Sequence, residues 1–491
     1  MPRYLFLDDI HIGEISGLTR RAHKAERHPA NPVLVRDKPW EAGRVQVDGR
    51  SVIYDPDIRK FRMYYLAMSS GQHHPWMQVN GRDLAGHATL PAYAESDDGI
   101  HWTKPVLGQL TFNDVRDTNL LDITRGMSFT AGILHDLHDP DPARRYKLMY
   151  WDQATWLMPP GKLEFVNWGW NCIVQVKDEN GSVIHEQPYN DWGVEVAFSA
   201  DGIHWRRPLD DYAWRCYSDA GHSALYDPAL GRYVAFSRFG LTRLADGGMF
   251  ALGRNVARVT SEDFLHWSEP EMALCVDHRD PDSLQINTMP VDLYEGLYIG
   301  LMELDVRPHP NPQRPMQLAT SRDGRHWIRV AERFDFLDQG PDGAWDAGGT
   351  IRPGSALIPV GDRVYMYYSS GPHTWGFHGI GLATWRRDGF VSLHAGPDGG
   401  ELLTAPVMPF GRTLHLNIDA GDGEAQVQVC SFQGGPGTEE ERRWGWSDPI
   451  RVDSTDVAVH WSAGDLTPFM GWPRTLRIRL RNADLYSFWW E

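Results

Sequence analysis

The sequence of 491 residues has little cysteine, no excess of positive charge and no long apolar run, and each lack excludes a class of protein. Its four cysteines are far apart in the chain, so neither a disulfide framework nor a zinc knuckle is indicated. The formal net charge is −17 and no cluster of Lys and Arg stands out, which argues against nucleic acid or an anionic membrane as a partner. No apolar stretch approaches the roughly 18–20 residues that cross a bilayer.

The N-terminus also lacks a secretory signal, because Asp8 and Asp9 end its short apolar stretch. We therefore expect a cytoplasmic protein, although a secreted chain whose leader had been removed would have the same features. The sequence contains no His-Glu-x-x-His, no phosphate-binding Gly-Lys-Ser loop and no Gly-x-Ser-x-Gly elbow. It predicts no cofactor and no metal site, and leaves open an ion in a central channel.

Aromatic residues are abundant, with 21 Trp, 18 Tyr and 18 Phe. Such side chains bury large areas, and they also stack on the apolar faces of sugars. The excess is typical of many small sheets that each need an aromatic plug.

One motif, Ser-x-Asp-Gly-x-His-Trp, occurs four times, with Phe264 in place of Gly in the third copy. An Asp-Gly pair favours a hairpin turn, because glycine tolerates a positive φ and the Asp side chain bonds nearby backbone. The Trp that follows is expected to fill the space between neighbouring sheets. The last three copies recur about every 60 residues, a spacing typical of propeller blades. The four copies are 96–102, 199–205, 261–267 and 321–327.

Aromatic-rich alternating strands precede these turns and bring the number of predicted blades to five. The sequence therefore predicts an all-β protein, a five-bladed β-propeller followed by a C-terminal β-sandwich. A Trp-rich insertion near 152–192 lengthens the second blade, as functional lids and oligomer contacts often do. The predicted units are an N-terminal segment that packs on the propeller (1–43), the propeller (44–394) and the sandwich (395–491).

This organisation resembles the β-fructofuranosidase group, glycoside hydrolase family 32 and its relatives. The tail 476–488 is similar to the closing strands of that group's sandwich. The resemblance covers nearly the whole chain and implies a carbohydrate-active enzyme, although fold and function separate easily.

The family's signatures are missing. Its Asn-Asp-Pro-Asn-Gly motif is absent, although Asp48 lies close to the nucleophile's place, and its Glu-Cys acid/base motif is not found. The tripeptide Arg279-Asp280-Pro281 matches another signature but precedes the fourth blade, so we interpret it as a chance match. These losses argue against ordinary hydrolysis of sucrose or fructan.

Glycoside cleavage needs a general acid and a second carboxylate as base or nucleophile. In a propeller these groups are expected on the inner strands that line the central channel. Each candidate has an alternative structural role in a turn, a cap or a solvent-facing position. The four candidate catalytic residues are Asp48, Asp219, Glu303 and Asp346.

Other polar or aromatic side chains near the predicted inner strands are candidates for binding a sugar. They could instead cap turns or pair with neighbouring acids. The four turn histidines are expected to be structural because they repeat with the scaffold. The candidate substrate-binding residues are His222, Arg238, Gln285, Asn287, His373, His378 and Trp168.

We therefore predict a glycoside hydrolase that acts on a small glycoside or the end of an oligosaccharide, with a furanoside among the options. Two rival hypotheses stay open: a sugar phosphorylase on the same scaffold, which converging Arg or His residues would favour, and a noncatalytic carbohydrate-binding protein. The sandwich and the insertion both offer apolar surface, so self-association is a further expectation.

Overall fold

The computed structural model describes residues 3–70, 77–84, 87–153, 158–159, 161–166, 173–188, 192–214, 220–243, 249–281, 284–306, 315–373, 376–432 and 437–491. Within these residues strands predominate, and the one α-helix, Glu439–Trp444, has six residues. No helix in this part of the chain is long and apolar enough to cross a membrane. The predicted all-β architecture is confirmed. Short 3-10 turns occur at Pro39–Glu41, Pro142–Arg144, Val330–Glu332 and Thr467–Phe469.

Five antiparallel sheets follow one another along the chain, and we number them blades 1 to 5. Blade 1 contains Arg44–Gln46, Val52–Asp55, Lys60–Ser70 and His87–Ser96, and blade 2 contains Met127–His135, Tyr146–Gln153 and Trp192–Ser199. Blade 3 contains Ser223–Asp227, Arg232–Arg243, Met249–Ser261 and Glu271–Leu274. Blade 4 contains Leu284–Thr288, Val291–Tyr294, Leu297–Val306, Met316–Ser321, Trp327–Arg329 and Asp335–Leu337. Blade 5 contains Arg352–Pro353, Ile358–Val360, Arg363–Ser370 and Gly379–Arg386, with Glu26–Arg27 and Leu34–Val35 from the N-terminal segment at its edge.

The inner segments of the five blades contact one another in a closed ring. Between blades 2 and 3 the approach is so close that a Cβ added to Gly132 would lie 2.8 Å from the carbonyl oxygen of His222. The other four junctions are hydrogen bonds: Ile133 N to Arg50 O at 3.0 Å, Val291 N to Ser223 Oγ at 3.1 Å, Leu357 N to Asp292 Oδ2 at 2.9 Å and Ser51 N to Gly354 O at 3.0 Å. Five blades joined in this order, with the last against the first, form a propeller.

A separate apolar core fills each gap between blades. Along the second strand of blade 3, Val234 and Phe236 pack toward blade 4, whereas Tyr233 and Ala235 pack toward blade 2. Successive side chains of a strand point to opposite faces, so an apolar strand can supply two cores at once. This double burial explains why the blade strands are apolar at nearly every position.

The repeated motif forms a compact turn held by its own side chains. In the first copy, Ser96 Oγ accepts from Gly99 N at 2.9 Å. Asp98 Oδ1 accepts from the backbone N of Ile100 and of His101 at 2.8 Å, and its Oδ2 lies 2.7 Å from His101 Nδ1. The other three copies repeat these bonds, which gives the turn histidines a structural role.

The Trp residues of the turns lie between blades. Trp102 of blade 1 meets Tyr367 of blade 5 edge to face at 5.5 Å, and Trp327 of blade 4 meets Phe236 of blade 3 at the same distance. Phe264 adopts φ 66° where the other copies have glycine at 69–77°. The turn geometry is therefore retained even without glycine.

After blade 5, two sheets pack face to face over one apolar core, which forms the β-sandwich. The N-terminal segment supplies strands to both of these sheets as well as to blade 5. The first sheet contains Tyr4–Leu5, Leu18–Ala22, Val391–Ala395, Leu414–Asp419, Asp453–Ala458 and Ala483–Trp490. The second contains Ile12–Ser16, Gly400–Thr404, Glu424–Ser431 and Arg474–Arg481.

The described parts of the predicted insertion do not extend blade 2. They pair with a hairpin from blade 1 in a sheet of their own. This side sheet contains Met77–Val79, Arg82–Leu84, Lys162–Val166, Ile173–Lys177 and Val183–Pro188.

Candidate active site at the propeller axis

The first strand of blade 1 and the two residues after it carry a row of three polar side chains, Arg44, Gln46 and Asp48. They share one face because alternate residues of an extended chain point the same way. Arg44 Nη1 donates to Gln46 Oε1 at 3.2 Å, and Gln46 Nε2 donates to Asp48 Oδ2 at 3.4 Å. Arg44 is half-buried, whereas Gln46 and Asp48 are fully buried, so the row runs inward.

Strand Leu297–Val306 of blade 4 supplies two more buried carboxylates, Asp305 and Glu303. Asp305 pairs with Arg254, with 3.3 Å between Oδ2 and Nη1. Glu303 shares the guanidinium of Arg352 with Asp48. Its Oε2 accepts from Asn287 Nδ2 at 2.8 Å, from Thr288 Oγ1 at 2.9 Å and from Arg352 Nε at 2.9 Å. Among the described residues, its Oε1 accepts one bond, from Arg352 Nη2 at 3.3 Å. Oε1 therefore keeps a lone pair for a ligand.

Arg352 of blade 5 lies between Asp48 and Glu303 and contacts both. Its Nη1 lies 3.7 Å from Asp48 Oδ2, while its other nitrogens hold Glu303. The guanidinium also lies against Phe377, with 4.8 Å between Cζ and the ring centroid. One planar cation thus contacts both acids.

The two carboxylates differ in their electrostatics. Burial raises the pKa of Asp48, the charge of Glu303 raises it further, and the opposing charge of Arg352 does not offset these effects. Glu303 instead accepts three hydrogen bonds at Oε2, one of them from the Arg352 guanidinium that also reaches Oε1. The two carboxylates therefore have unlike environments.

Arg238 of blade 3 reaches the same place and donates from Nη1 to Asn287 Oδ1 at 3.1 Å. Burial, together with the positive charges of Arg254 and Arg352, lowers the pKa of Arg238 to about 9. Gln285 of blade 4 is half-buried, and its Oε1 accepts from the backbone N of Arg254 at 3.3 Å. Side chains from blades 1, 3, 4 and 5 meet here, which only the axis of the ring allows.

His222 opens blade 3 and is fully buried. Burial lowers its pKa to about 3, so the ring is neutral at physiological pH. Its Nδ1 lies 2.9 Å from Ser237 Oγ, and its Nε2 has no hydrogen-bond partner among the described residues. Its carbonyl packs against Gly49, where an added Cβ would lie 1.9 Å away. His222 therefore lies beside Asp48 in the fold.

Asp346 does not join this cluster. Its Oδ2 accepts from Arg27 Nε at 2.8 Å and from Tyr368 Oη at 2.9 Å. Arg27 belongs to the edge strand of blade 5, far from the inner strands. We therefore leave Asp346 out of the carboxylate pair.

His373 and His378 face each other in one loop of blade 5, with 5.3 Å between their ring centroids. His373 is exposed and His378 half-buried. Burial and the positive charge of Arg36 lower the pKa of His378. Two further candidates, Asp219 and Trp168, lie outside the described residues.

A second buried carboxylate pair lies in blade 2, where the sequence analysis predicted no site. Asp152 accepts from Thr124 Oγ1 and from the backbone N of Arg125, both at 2.6 Å. Glu195 on the next strand lies 2.8 Å from Arg125 Nε. Burial raises the pKa of Asp152 to about 8, although these donors oppose it. Among the described residues, no hydrogen bond or ion pair joins Asp152 or Glu195 to Asp48 or Glu303, so we treat the blade 2 pair separately from the axial site.

Several residues at the axis are not among the candidates from the sequence: Arg44, Arg254, Asp305 and Arg352. The inner strand of blade 5 begins at Arg352, directly after residues 347–351. The signal in the sequence is a charged residue between Ile351 and Pro353. Arg44 stands at the predicted start of the propeller, 44–394.

No protein-family model and no curated protein matches the sequence. Several solved structures do resemble this one. They include an N-acetylgalactosamine deacetylase from F. plautii in complex with blood group B trisaccharide, with 16% identity over 76% of this chain and 97% of that one and a TM-score of 0.42. A β-1,2-mannobiose phosphorylase from Listeria innocua has 12% identity, 74% and 96% coverage and a TM-score of 0.41. A β-fructofuranosidase from Bombyx mori, of the group that the sequence resembles, has 11% identity, 95% and 93% coverage and a TM-score of 0.38.

Proposed function

We propose that the protein cleaves glycosidic bonds at the propeller axis, with Asp48 and Glu303 as the catalytic pair. The observation that carries this proposal is the single guanidinium of Arg352 between two buried carboxylates of unlike environment. A buried arginine used only to offset charge needs one carboxylate, whereas general acid/base catalysis requires two carboxyl groups in unlike environments.

In this proposal Asp48 is the general acid. Its raised pKa keeps a proton on the carboxyl to a higher pH than usual, and that proton goes to the glycosidic oxygen as the C–O bond breaks. Glu303 uses Oε1 either to take a proton from the attacking water or to attack the sugar carbon itself. Arg352 and Asn287 hold Glu303 in place as positioning residues.

Neutral donors and acceptors around the pair suit sugar hydroxyls. His222 offers its unbonded Nε2, and amide groups come from the buried Asn287 and the half-buried Gln285. Polar groups fixed by other bonds before the ligand arrives are a general feature of specific small-molecule sites.

Phosphorolysis is a second candidate because arginines converge on the pair. Arg44, Arg238, Arg254 and Arg352 all lie at or beside the axis, and such residues bind phosphate oxygens well. Cleavage that requires inorganic phosphate and releases a sugar phosphate would select this reaction over hydrolysis.

The test replaces each acid by its amide and measures turnover on a panel of aryl glycosides that includes furanosides. D48N and E303Q should each lose at least about a hundredfold in kcat. D346N is the matched control, since Asp346 is equally buried and ion-paired but outside the cluster, and it should keep activity within a few-fold. Equal losses in all three variants would contradict the assignment, and sugar binding without turnover in the wild type would indicate a noncatalytic protein.

A further inference from the structure

The guanidinium of Arg44 forms no ion pair with the described residues. Among the described residues, its recorded hydrogen-bond partner is the neutral amide oxygen of Gln46, and no carboxylate lies within ion-pair distance. A half-buried guanidinium of this kind loses hydration without gaining a counter-ion. The charge therefore points to a partner that comes from solution.

The nearby acids are already committed elsewhere. Asp37 and Glu41 are close to Arg44 in sequence, but both pair with Lys104, at 2.5 and 2.7 Å. Glu41 also accepts from Tyr65 Oη at 2.5 Å. Neither acid lies within ion-pair distance of Arg44.

A second cation increases the excess of positive charge at this end of the site. Phe377 has Arg44 Cζ at 5.7 Å and Arg352 Cζ at 4.8 Å from its ring centroid, so the two guanidiniums share one ring. Burial and the charge of Arg352 lower the pKa of Arg44 to about 10. Because Arg352 is held by Glu303, Arg44 is the member of this pair left to receive an anion.

The position of Arg44 fits recognition of substrate. It is the outermost and least buried member of the row that ends at Asp48. A ligand whose scissile bond lies at Asp48 would extend along this row toward Arg44.

We propose that Arg44 is a specificity residue that binds a negatively charged oxyanion, a carboxylate or a phosphate, at the outer end of the axial site. This inference rests on the proposed function, because it assigns the class of ligand taken by the same site. The oxyanion is carried either by a sugar acid or by inorganic phosphate as co-substrate, and the two sources are distinguished below.

The test is calorimetric titration of the full chain with three kinds of probe: hexuronic acids, the neutral hexoses from which they derive, and inorganic phosphate. Wild type should bind a uronic acid at least about tenfold more tightly than its neutral parent, or should bind phosphate, because charge-assisted bonds to guanidinium are worth that much. R44Q should lose this preference and R44K should restore part of it. R325Q is the matched control, since Arg325 is exposed on blade 4 and pairs with Glu271, and it should behave as wild type.

Each outcome decides one way. A preference for uronic acid that disappears in R44Q identifies a sugar acid, and phosphate binding that disappears in R44Q identifies inorganic phosphate. Equal binding of acidic and neutral sugars without phosphate binding, or an anion preference that survives in a folded R44Q, overturns the proposal. Loss of turnover in D48N and E303Q with an unchanged ligand preference in R44Q would leave the function standing and remove this inference. Arg44-dependent anion binding without glycoside cleavage would do the reverse.

Discussion

Aspartates occupy two very different settings in this molecule, the repeated turns and the axis. Each turn aspartate is partly exposed, and hydrogen bonds from the turn histidine and two backbone amides outweigh burial and lower its pKa. Asp48 is fully buried beside another acid, and its pKa is raised. The turn aspartates stabilise the conformation of their turns, whereas burying Asp48 at the axis costs stability. Repeated positions therefore determine the fold, and the inner positions that do not repeat are where chemistry is expected.

The two acids of the axial pair should differ in their contribution to the free energy of unfolding. E303Q should lower the free energy of unfolding by about 3–5 kcal/mol, because Arg352 loses its main counter-charge in a buried site. D48N should not lower it at pH 7. The pKa of Asp48 is raised in the folded state, so its carboxyl contributes to stability in the protonated form. That contribution is fully present below the pKa of Asp48 in the unfolded chain and is lost as the pH rises through the folded-state pKa.

Denaturant titration of both variants at pH 7 measures this difference. Asn keeps the Oδ1 that accepts from Gly49 N at 2.7 Å in the wild type, so the local turn should survive. An equal loss of stability in D48N and E303Q would show that Asp48 is a structural counter-ion.

Asp152 extends the comparison to blade 2. Its folded pKa of about 8 means that the free energy of unfolding should fall as pH rises from about 5 to 9, because the folded state resists losing this proton. The neutral D152N should lack this part of the slope, a difference of at least about 2 kcal/mol over the range. Unfolding curves at several pH values measure it, and parallel pH dependences in the two proteins would contradict the assignment.

A turn aspartate should contribute less to the free energy of unfolding, and its contribution should be lost as the pH falls rather than as it rises. D323A removes the two backbone bonds at 2.8 Å and the contact with His326, and should cost about 1 kcal/mol. Because the pKa of Asp323 is lowered, its stabilisation is present above the unfolded pKa and is lost as pH falls below about 4. The control is R325A, a neighbouring exposed variant, which should change the free energy of unfolding by less than about 0.5 kcal/mol. If D323A is as stable as R325A, the hydrogen bonds of Asp323 do not stabilise the fold.

The propeller could be predicted from the sequence because its turns are local. The bonds of Asp98 reach only three residues along the chain, so the motif carries its whole geometry with it. The position of Asp48 and Glu303 near the axis also followed from counting strands. Local patterns thus located the blades and two of the acids that lie together.

The partners of those acids depend on contacts that are distant in sequence. Glu303 and Arg352 are 49 residues apart, and Arg27 reaches Asp346 across 319 residues. No pattern in the sequence assigns an N-terminal strand to the edge of blade 5, so Asp346 is among the candidates predicted from the sequence. The same limitation hid the sharing of the N-terminal segment between the sandwich and the propeller.

The most direct test of the central claim is the pH dependence of kcat/KM in wild type and D48N on the best glycoside of the panel. If Asp48 is the acid, wild-type activity declines on the alkaline side with an apparent pKa above the ordinary aspartate range. D48N should be at least about a hundredfold slower and should lack that decline. If kcat/KM of D48N equals that of the wild type and declines at high pH with the same apparent pKa, the assignment of the axial pair is wrong.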